Sequence, residues 1–382
     1  MTTRVPIKKE LLIWAYNRSV QRNNLHKKFK FLDKWLTGEK QPTFKQLEDF
    51  AASTATPLGY FFLMAPPVET LPIPHYRTLE EGDNGQVSPD LIETLHIMQR
   101  RQDFMRDYYE QYVGTELEFV GSHRGSNAAH LANTIFDLLG LQQDWARQHK
   151  TFHDALKFLS SRCEKNRIIV MQNGIVGVNT HRPLDVSEFR GFVLVDNMAP
   201  LIFINAADTK SAQIFTLIHE IAHILLGSSA VVEASPLNTQ SADVEKLCNE
   251  AAAEMLCPKE LFLKQWKSLY PNAVIYEALS NIFKVSPIVI GRRALELNCI
   301  TREEFFSFYN DYLKKLKNQQ PKTNSGGDFY NTTISRLGNT FTNAVIYQTL
   351  TGNIQYTDAF KLTGLRNKTF ENFVSLVRER GV

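Results

Sequence analysis

Between Ser211 and Gly227 the chain reads SAQIFTLIHEIAHILLG, and its apolar residues do not keep to one side. Ile214, Phe215, Leu217, Ile218, Ile221, Ala222, Leu225 and Leu226 would cover a helix nearly all round, which is the pattern of a buried helix, with Gly227 as its stop. A buried helix must find partners for every polar side chain it carries. This one carries His219, Glu220 and His223.

Elsewhere the pattern is that of ordinary amphipathic helices. Leu11, Leu12, Trp14 and Ala15 open the first, LHKKFKFLDKWLTGEKQP predicts one further helix ending at Gly38, and Thr43 caps FKQLEDFAAST. After a proline-rich stretch, Ser88 and Pro89 start a long helix whose Leu91, Leu95, Met98 and Met105 form a packing face. Helices over 128–139 and 151–163 follow. The period then shortens: RIIVMQ, GIVGVN, GFVLVD and PLIFIN are short β-branched runs, and the brief turn between the last two predicts an antiparallel hairpin. A small sheet therefore precedes the buried helix. Beyond Pro258 the helical pattern returns, with Ser286 and Thr301 as caps, and KNQQPKTNSGGD separates a last helical group.

The fold class expected is α+β: a small β-sheet packed on helices, flanked by all-helical N- and C-terminal domains. The expected boundaries are an N-terminal domain over 1–65, a linker over 66–90, a central domain with a helical lead-in over 91–317, a linker over 318–330 and a C-terminal module over 331–382.

Composition narrows the function classes. The chain has 382 residues, 43% of them hydrophobic, and a net charge of +3, which does not argue for nucleic acid or membrane binding by the chain as a whole. Residues 1–63 nevertheless hold eleven Lys or Arg against five Asp or Glu, so nucleic-acid contact is sought there first, at Lys27, Lys28, Lys30 and Lys34. A helical docking domain that keeps a basic face is the competing reading. Four cysteines without CxxC spacing read as reduced thiols, no signal peptide is visible, and no apolar run approaches a membrane span, so a cytoplasmic protein is expected.

The chemistry lies in HEIAH. On a helix, His219 and His223 are four apart and project from one face, where both imidazoles can reach one metal, while Glu220 can take a proton from water there without being a ligand. A catalytic zinc site needs a third protein ligand. SADVEKLCNEAAAEMLCP offers it, with Ser241 as a cap and Asp243 in the first turn. Glu245 and Asn249 share a face, so Glu245 is the favoured ligand and Asn249 the residue that steadies a ligand histidine. Glu250, Glu254 and Cys248 are the rivals. Zinc is favoured over other divalent ions by ligand type. In zinc peptidases of this plan a sheet edge beside the metal takes up substrate as an added strand, but the sequence does not identify the edge. Asn179, His181, Arg182, Glu188 and Arg190 are possible substrate contacts near it, and Tyr270, Tyr276, Arg292 and Arg293 include candidates to polarise a carbonyl, against the commoner role of arginines that pair with carboxylates.

HEIAHILLG followed by E-x-x-x-N in VEKLCNEAAAEMLCP, with EFRGF and NGIVGVNTHR upstream, resembles the ImmA/IrrE family of intracellular metallopeptidases over about 167–306. The N-terminal order of short helices, with W-x-x-G-E-x-x-P, resembles Xre-type helix-turn-helix domains, except that only NNLHKKFKF occupies the place of a second helix and turn. The first resemblance implies that His219, His223 and Glu245 bind zinc and that Glu220 is the general base. It also implies a protein substrate, a repressor or antitoxin whose cleavage switches on stress, phage or mobile-element genes. The alternatives are a DNA-binding regulator, or a toxin-antitoxin component, with a metal site that cuts nothing.

Overall fold

The computed structural model describes residues 3–19, 22–67, 87–227, 239–272, 274–318 and 328–379. Their helices are α1 (Lys9–Arg18), α2 (Arg22–Lys28), α3 (Leu32–Leu36), α4 (Phe44–Ser53), α5 (Pro89–Tyr112), α6 (Ala128–Leu138), α7 (Phe152–Lys165), α8 (Lys210–Leu226), α9 (Thr239–Leu256), α10 (Lys259–Leu269), α11 (Ile275–Phe283), α12 (Pro287–Glu296), α13 (Arg302–Asn318), α14 (Phe329–Leu337), α15 (Asn339–Leu350), α16 (Tyr356–Thr363) and α17 (Asn367–Glu379). The strands are β1 (Ile169–Asn173), β2 (Ile175–Val176), β3 (Asn179–Pro183), β4 (Gly191–Leu194) and β5 (Leu201–Asn205). The class is α+β, and no described helix is long and apolar enough to cross a membrane. Most of both expected linkers, 68–86 and 319–327, lies outside the described residues.

The chain divides into two compact units. Among the described residues one holds 3–67, 87–97 and 175–184, and the other 98–174 and 185–379. In the first, Leu11, Leu12, Ala15, Leu25, Leu32, Trp35, Leu47 and Phe50 form a core. Thr43 and Gln46 make a reciprocal capping box at α4, which fixes its start where the sequence predicts it. The single helix expected from LHKKFKFLDKWL is instead split into α2 and α3 at Phe29–Phe31. A continuous helix would align Leu25, Phe29, Leu32 and Leu36 and leave Trp35 to one side. The break turns the larger Trp35 into the core, 5.6 Å from the Phe29 ring, and leaves Leu36 only partly buried. A distinct second helix thus precedes α3.

In the same unit β2 and β3 form a two-stranded antiparallel ladder. Of the possible substrate contacts, Asn179, His181 and Arg182 lie on strand β3. Arg182 holds it to α5: Nη2 and Nε donate to Asp90 Oδ1 at 2.6 and 2.9 Å, and Nη1 to Glu93 at 2.5 Å. Arg182 is therefore engaged in ion pairs that fix backbone.

The second unit is built on a three-stranded sheet of order β1-β5-β4, with β1 parallel and β4 antiparallel to β5. The predicted hairpin is β4–β5, whereas GIVGVN belongs to the separate β2–β3 ladder. Val170, Val193, Ile202 and Ile204 join the core formed with α6 to α12. From α5, Gln102 donates to the carbonyls of Leu194 and Ala199, and Arg101 donates to the Leu362 carbonyl and the Met171 sulfur. The C-terminal helices belong to this unit too. Glu164 at the end of α7 accepts from the Asn339 N–H at the start of α15, and Phe104 meets Phe341 edge to face.

Candidate active site

The site begins with how α8 is held. Thr209 caps its start by accepting from Ala212 N–H, and Gly227 ends it in the left-handed conformation, φ 62°. Gly121 and His123 donate backbone N–H groups to the last-turn carbonyls of Ile224 and Leu225. The helix is buried along its length, as its all-round apolar pattern requires, and His219, Glu220 and His223 are buried with it.

α9 packs against α8 and α6, its Ala251 and Ala252 allowing close approach, and carries Glu245 to the two histidines. His219 Nε2 lies 3.1 Å from His223 Nε2 and 3.2 Å from Glu245 Oε2, and His223 Nε2 lies 3.1 Å from Glu245 Oε1. Burial pushes the Glu245 carboxyl up, but the two imidazoles outweigh it and hold the group far below the usual carboxylate range. Burial likewise draws His223 down, while the Cys248 thiol and Glu245 carry it well above its ordinary value. Burial raises the Cys248 thiol.

Among the described residues these three are the group that could hold a metal ion, their donor atoms within 4.8 Å of one another. Two imidazole nitrogens and a carboxylate suit zinc, and ligand bonds of roughly 2.0–2.2 Å in a tetrahedron separate donors by roughly 3.3–3.5 Å, close to the spacing found. The rivals for the third position are otherwise engaged. Glu254 accepts from Arg293 and from the Lys259 N–H, and Glu250 pairs with Lys246 at 3.9 Å. Cys248 lies within hydrogen-bonding reach of His223 but outside the group of three. Asn249 lies one turn beyond Glu245, partly buried. α9 begins at Thr239, before the expected cap, and the Ser241 side chain lies outside the described residues.

Among the candidates for polarising a carbonyl, Arg293 is not a free cation. Buried Arg293 is bound to Cys257 O, Glu254 and Glu296, Tyr276 stacks on Phe308 with centroids 3.8 Å apart, and Tyr270 is exposed. Near the sheet, Arg190 Nε faces Asp208 at 3.5 Å. One neighbour of the site was not singled out from the sequence, Gly191 at the start of β4. A β-carbon there would stand 3.7 Å from Glu220 Oε1. The available signal was a glycine inside a strand otherwise made of Phe, Val and Leu.

In the N-terminal unit, Lys27, Lys28, Lys30 and Lys34 are exposed, and Lys28 donates to Ser53 Oγ. Lys40 stands 3.2 Å over the Phe31 ring, and its pKa is lowered by burial and by Arg4, Lys34 and Lys30, which gather around it. The cationic cluster is thus Arg4, Lys30, Lys34 and Lys40.

Residues 175–295, which contain all three residues that could hold a metal ion, match the model of the Peptidase_M78 family, described as an IrrE N-terminal-like domain. This match supports the ImmA/IrrE resemblance and a metallopeptidase-like function. Residues 337–375 match a domain of unknown function, DUF8813, which spans most of α15 to α17. No curated protein matches the chain.

Proposed function

We propose that the protein is a zinc-dependent endopeptidase that hydrolyses a peptide bond of one particular protein, a repressor or antitoxin, in stress, phage or mobile-element regulation. The observation that carries the reading is the convergence of His219, His223 and Glu245 at 3.1–3.2 Å, with Glu220 of the same helix beside an edge strand. His219, His223 and Glu245 would hold zinc. When bound, zinc supplies Lewis acidity, activating water and polarising a carbonyl.

The chain's own residues supply the rest. Asn205 N–H donates to the Arg190 carbonyl, so residues 190, 192 and 194 face β5, and by alternation Gly191 and Val193 direct their N–H and C=O groups away from it. β4 has no second strand partner among the described residues. An extended substrate segment adding there would be aligned by main-chain hydrogen bonds, its carbonyl brought towards the metal-binding side chains. Glu220 then accepts the proton of the attacking water and passes it to the leaving nitrogen. In a protein of this reading, Glu220→Gln keeps the metal and abolishes cleavage. The decisive measurement is mass spectrometry of proteins lost when the wild type, but not Glu220→Gln, is expressed beside its genomic neighbours. Equal cleavage by both forms would exclude Glu220 as the base.

A second reading, a DNA-binding regulator with a non-proteolytic metal site, is favoured by the Arg4, Lys30, Lys34 and Lys40 cluster. Each phosphate contact contributes about −0.9 to the slope of log affinity against log salt. Replacing Lys30 and Lys34 by Gln should flatten a gel-shift salt dependence by about two such contacts. An unaltered slope would remove the cluster from any DNA contact.

A further inference from the structure

β4 meets the turn of α8 that carries Glu220 through a residue with no side chain. A β-carbon on buried Gly191 would stand 2.5 Å from Thr216 Cγ2 and 2.8 Å from the Phe203 carbonyl oxygen, both well inside any tolerated contact. It would stand 3.7 Å from Glu220 Oε1, an ordinary contact. Thr216 and Glu220 are four apart, so they lie on one face of α8. The bare backbone of β4 therefore rests on that face. A glycine weakens a strand interior and marks a place where another part of the molecule comes close.

The same residue has a second property. Gly191 is one of the two positions in β4 whose main-chain groups point away from β5. It turns main-chain groups to the outer side of β4 and, by lacking a side chain, lets β4 lie against Phe203 and against Thr216, one helical turn from Glu220.

We propose that Gly191 is a positioning residue: it sets the height of β4 over α8 and so couples the strand-pairing edge to Glu220 and the metal-binding side chains. The inference rests on the peptidase reading above. A larger residue must lift β4, because one obstacle is the backbone of β5 and the other is a methyl group fixed to α8. The side chains that would hold zinc lie on α8 and α9 and are untouched by such a shift. Gly191→Ala should therefore leave metal binding intact while misaligning whatever pairs with the edge, and a misplacement of about 1 Å can cost on the order of 10²-fold in rate.

Calorimetry on the zinc-loaded full chain separates these effects without a known substrate. Acetohydroxamate reaches only the metal and its neighbours, whereas a trialanyl hydroxamate adds an extended backbone that can pair with β4. The wild type is expected to bind the trialanyl compound more tightly. Gly191→Ala should keep zinc and its acetohydroxamate affinity but lose about tenfold or more of the trialanyl advantage, and adding Thr216→Ser, which removes the colliding methyl, should restore part of it. If Gly191→Ala does not fold, Thr216→Ala loosens the same contact from the α8 side without a collision and should lower the advantage several-fold. Full retention of the advantage in the folded variant overturns the proposal and leaves the peptidase reading standing. A wild type with no trialanyl advantage, or no hydroxamate binding, removes the peptidase reading itself, and this inference with it.

Discussion

One edge of the three-stranded sheet is closed by the chain's own C-terminal helices, while the other borders Glu220. At β1, Ile169 donates to Pro200 and Asn173 accepts from Ala206, so Val170 and Gln172 face outward. Gly338, at φ 78°, lies against the outward Val170 carbonyl: a β-carbon there would be 3.0 Å from that oxygen and 2.6 Å from Glu164 Oε1. Beside it Glu164 accepts from the first N–H of α15, and α14 packs on β1. At β4, Gly191 and Val193 have no such cover from a further strand among the described residues. Each edge uses a glycine to let something approach: at β1 the C-terminal helices, and at β4 the face of α8 that carries Thr216 and Glu220. The difference teaches that a sheet this small must finish one edge with its own chain if it is to leave the other available without inviting unspecific pairing.

That contrast can be broken from the β4 side first, where the expected effect is largest. Glu220→Gln should lower turnover of the true substrate by about 10²- to 10⁴-fold with zinc content unchanged by atomic absorption. A drop that accompanied zinc loss would mean that Glu220 holds the site together instead. His223→Ala should abolish stoichiometric zinc binding outright, measured on the same preparation.

On the β1 side the effects should be on stability. Phe341 is fully buried, so Phe341→Ala should cost about 3–5 kcal/mol in one cooperative denaturant transition, whereas an independent C-terminal module would melt separately and leave zinc binding unaltered. Gly338→Ala, meeting Val170 O and adopting an unfavourable φ, should cost about 1–3 kcal/mol in the same assay.

The smallest change is at Glu164, whose carboxyl burial raises despite the helix N–H groups it accepts from. A raised carboxyl contributes stability that is present below its unfolded pKa and lost as pH rises through the folded one. Glu164→Gln keeps an acceptor and removes that loss, so its unfolding free energy relative to the wild type should rise between pH 4 and 7, by under about 1 kcal/mol.

Much of this was legible in the residues themselves. The all-round apolar pattern of α8, the caps Thr43, Ser286 and Thr301, and the β4–β5 hairpin follow from local periodicity and capping, which need only near neighbours. The four-residue spacing of His219 and His223 put both imidazoles on one face for the same reason. Three things depended on contacts distant in sequence. Local pattern favoured Glu245 over Glu250 and Glu254 by the face it shares with Asn249, but its carboxylate lies 3.1–3.2 Å from both imidazoles only because of how α9 is rotated against α8, with Arg293 engaging Glu254. It could not foresee the break between α2 and α3, because the competition between Trp35 and Leu36 for one core is settled only when the other helices are present. Nor could it separate GIVGVN from the sheet or name the edge strand, since period-two runs do not encode which strands pair; the sheet order, and with it the meeting of Gly191 and Glu220, exists only once the chain has packed.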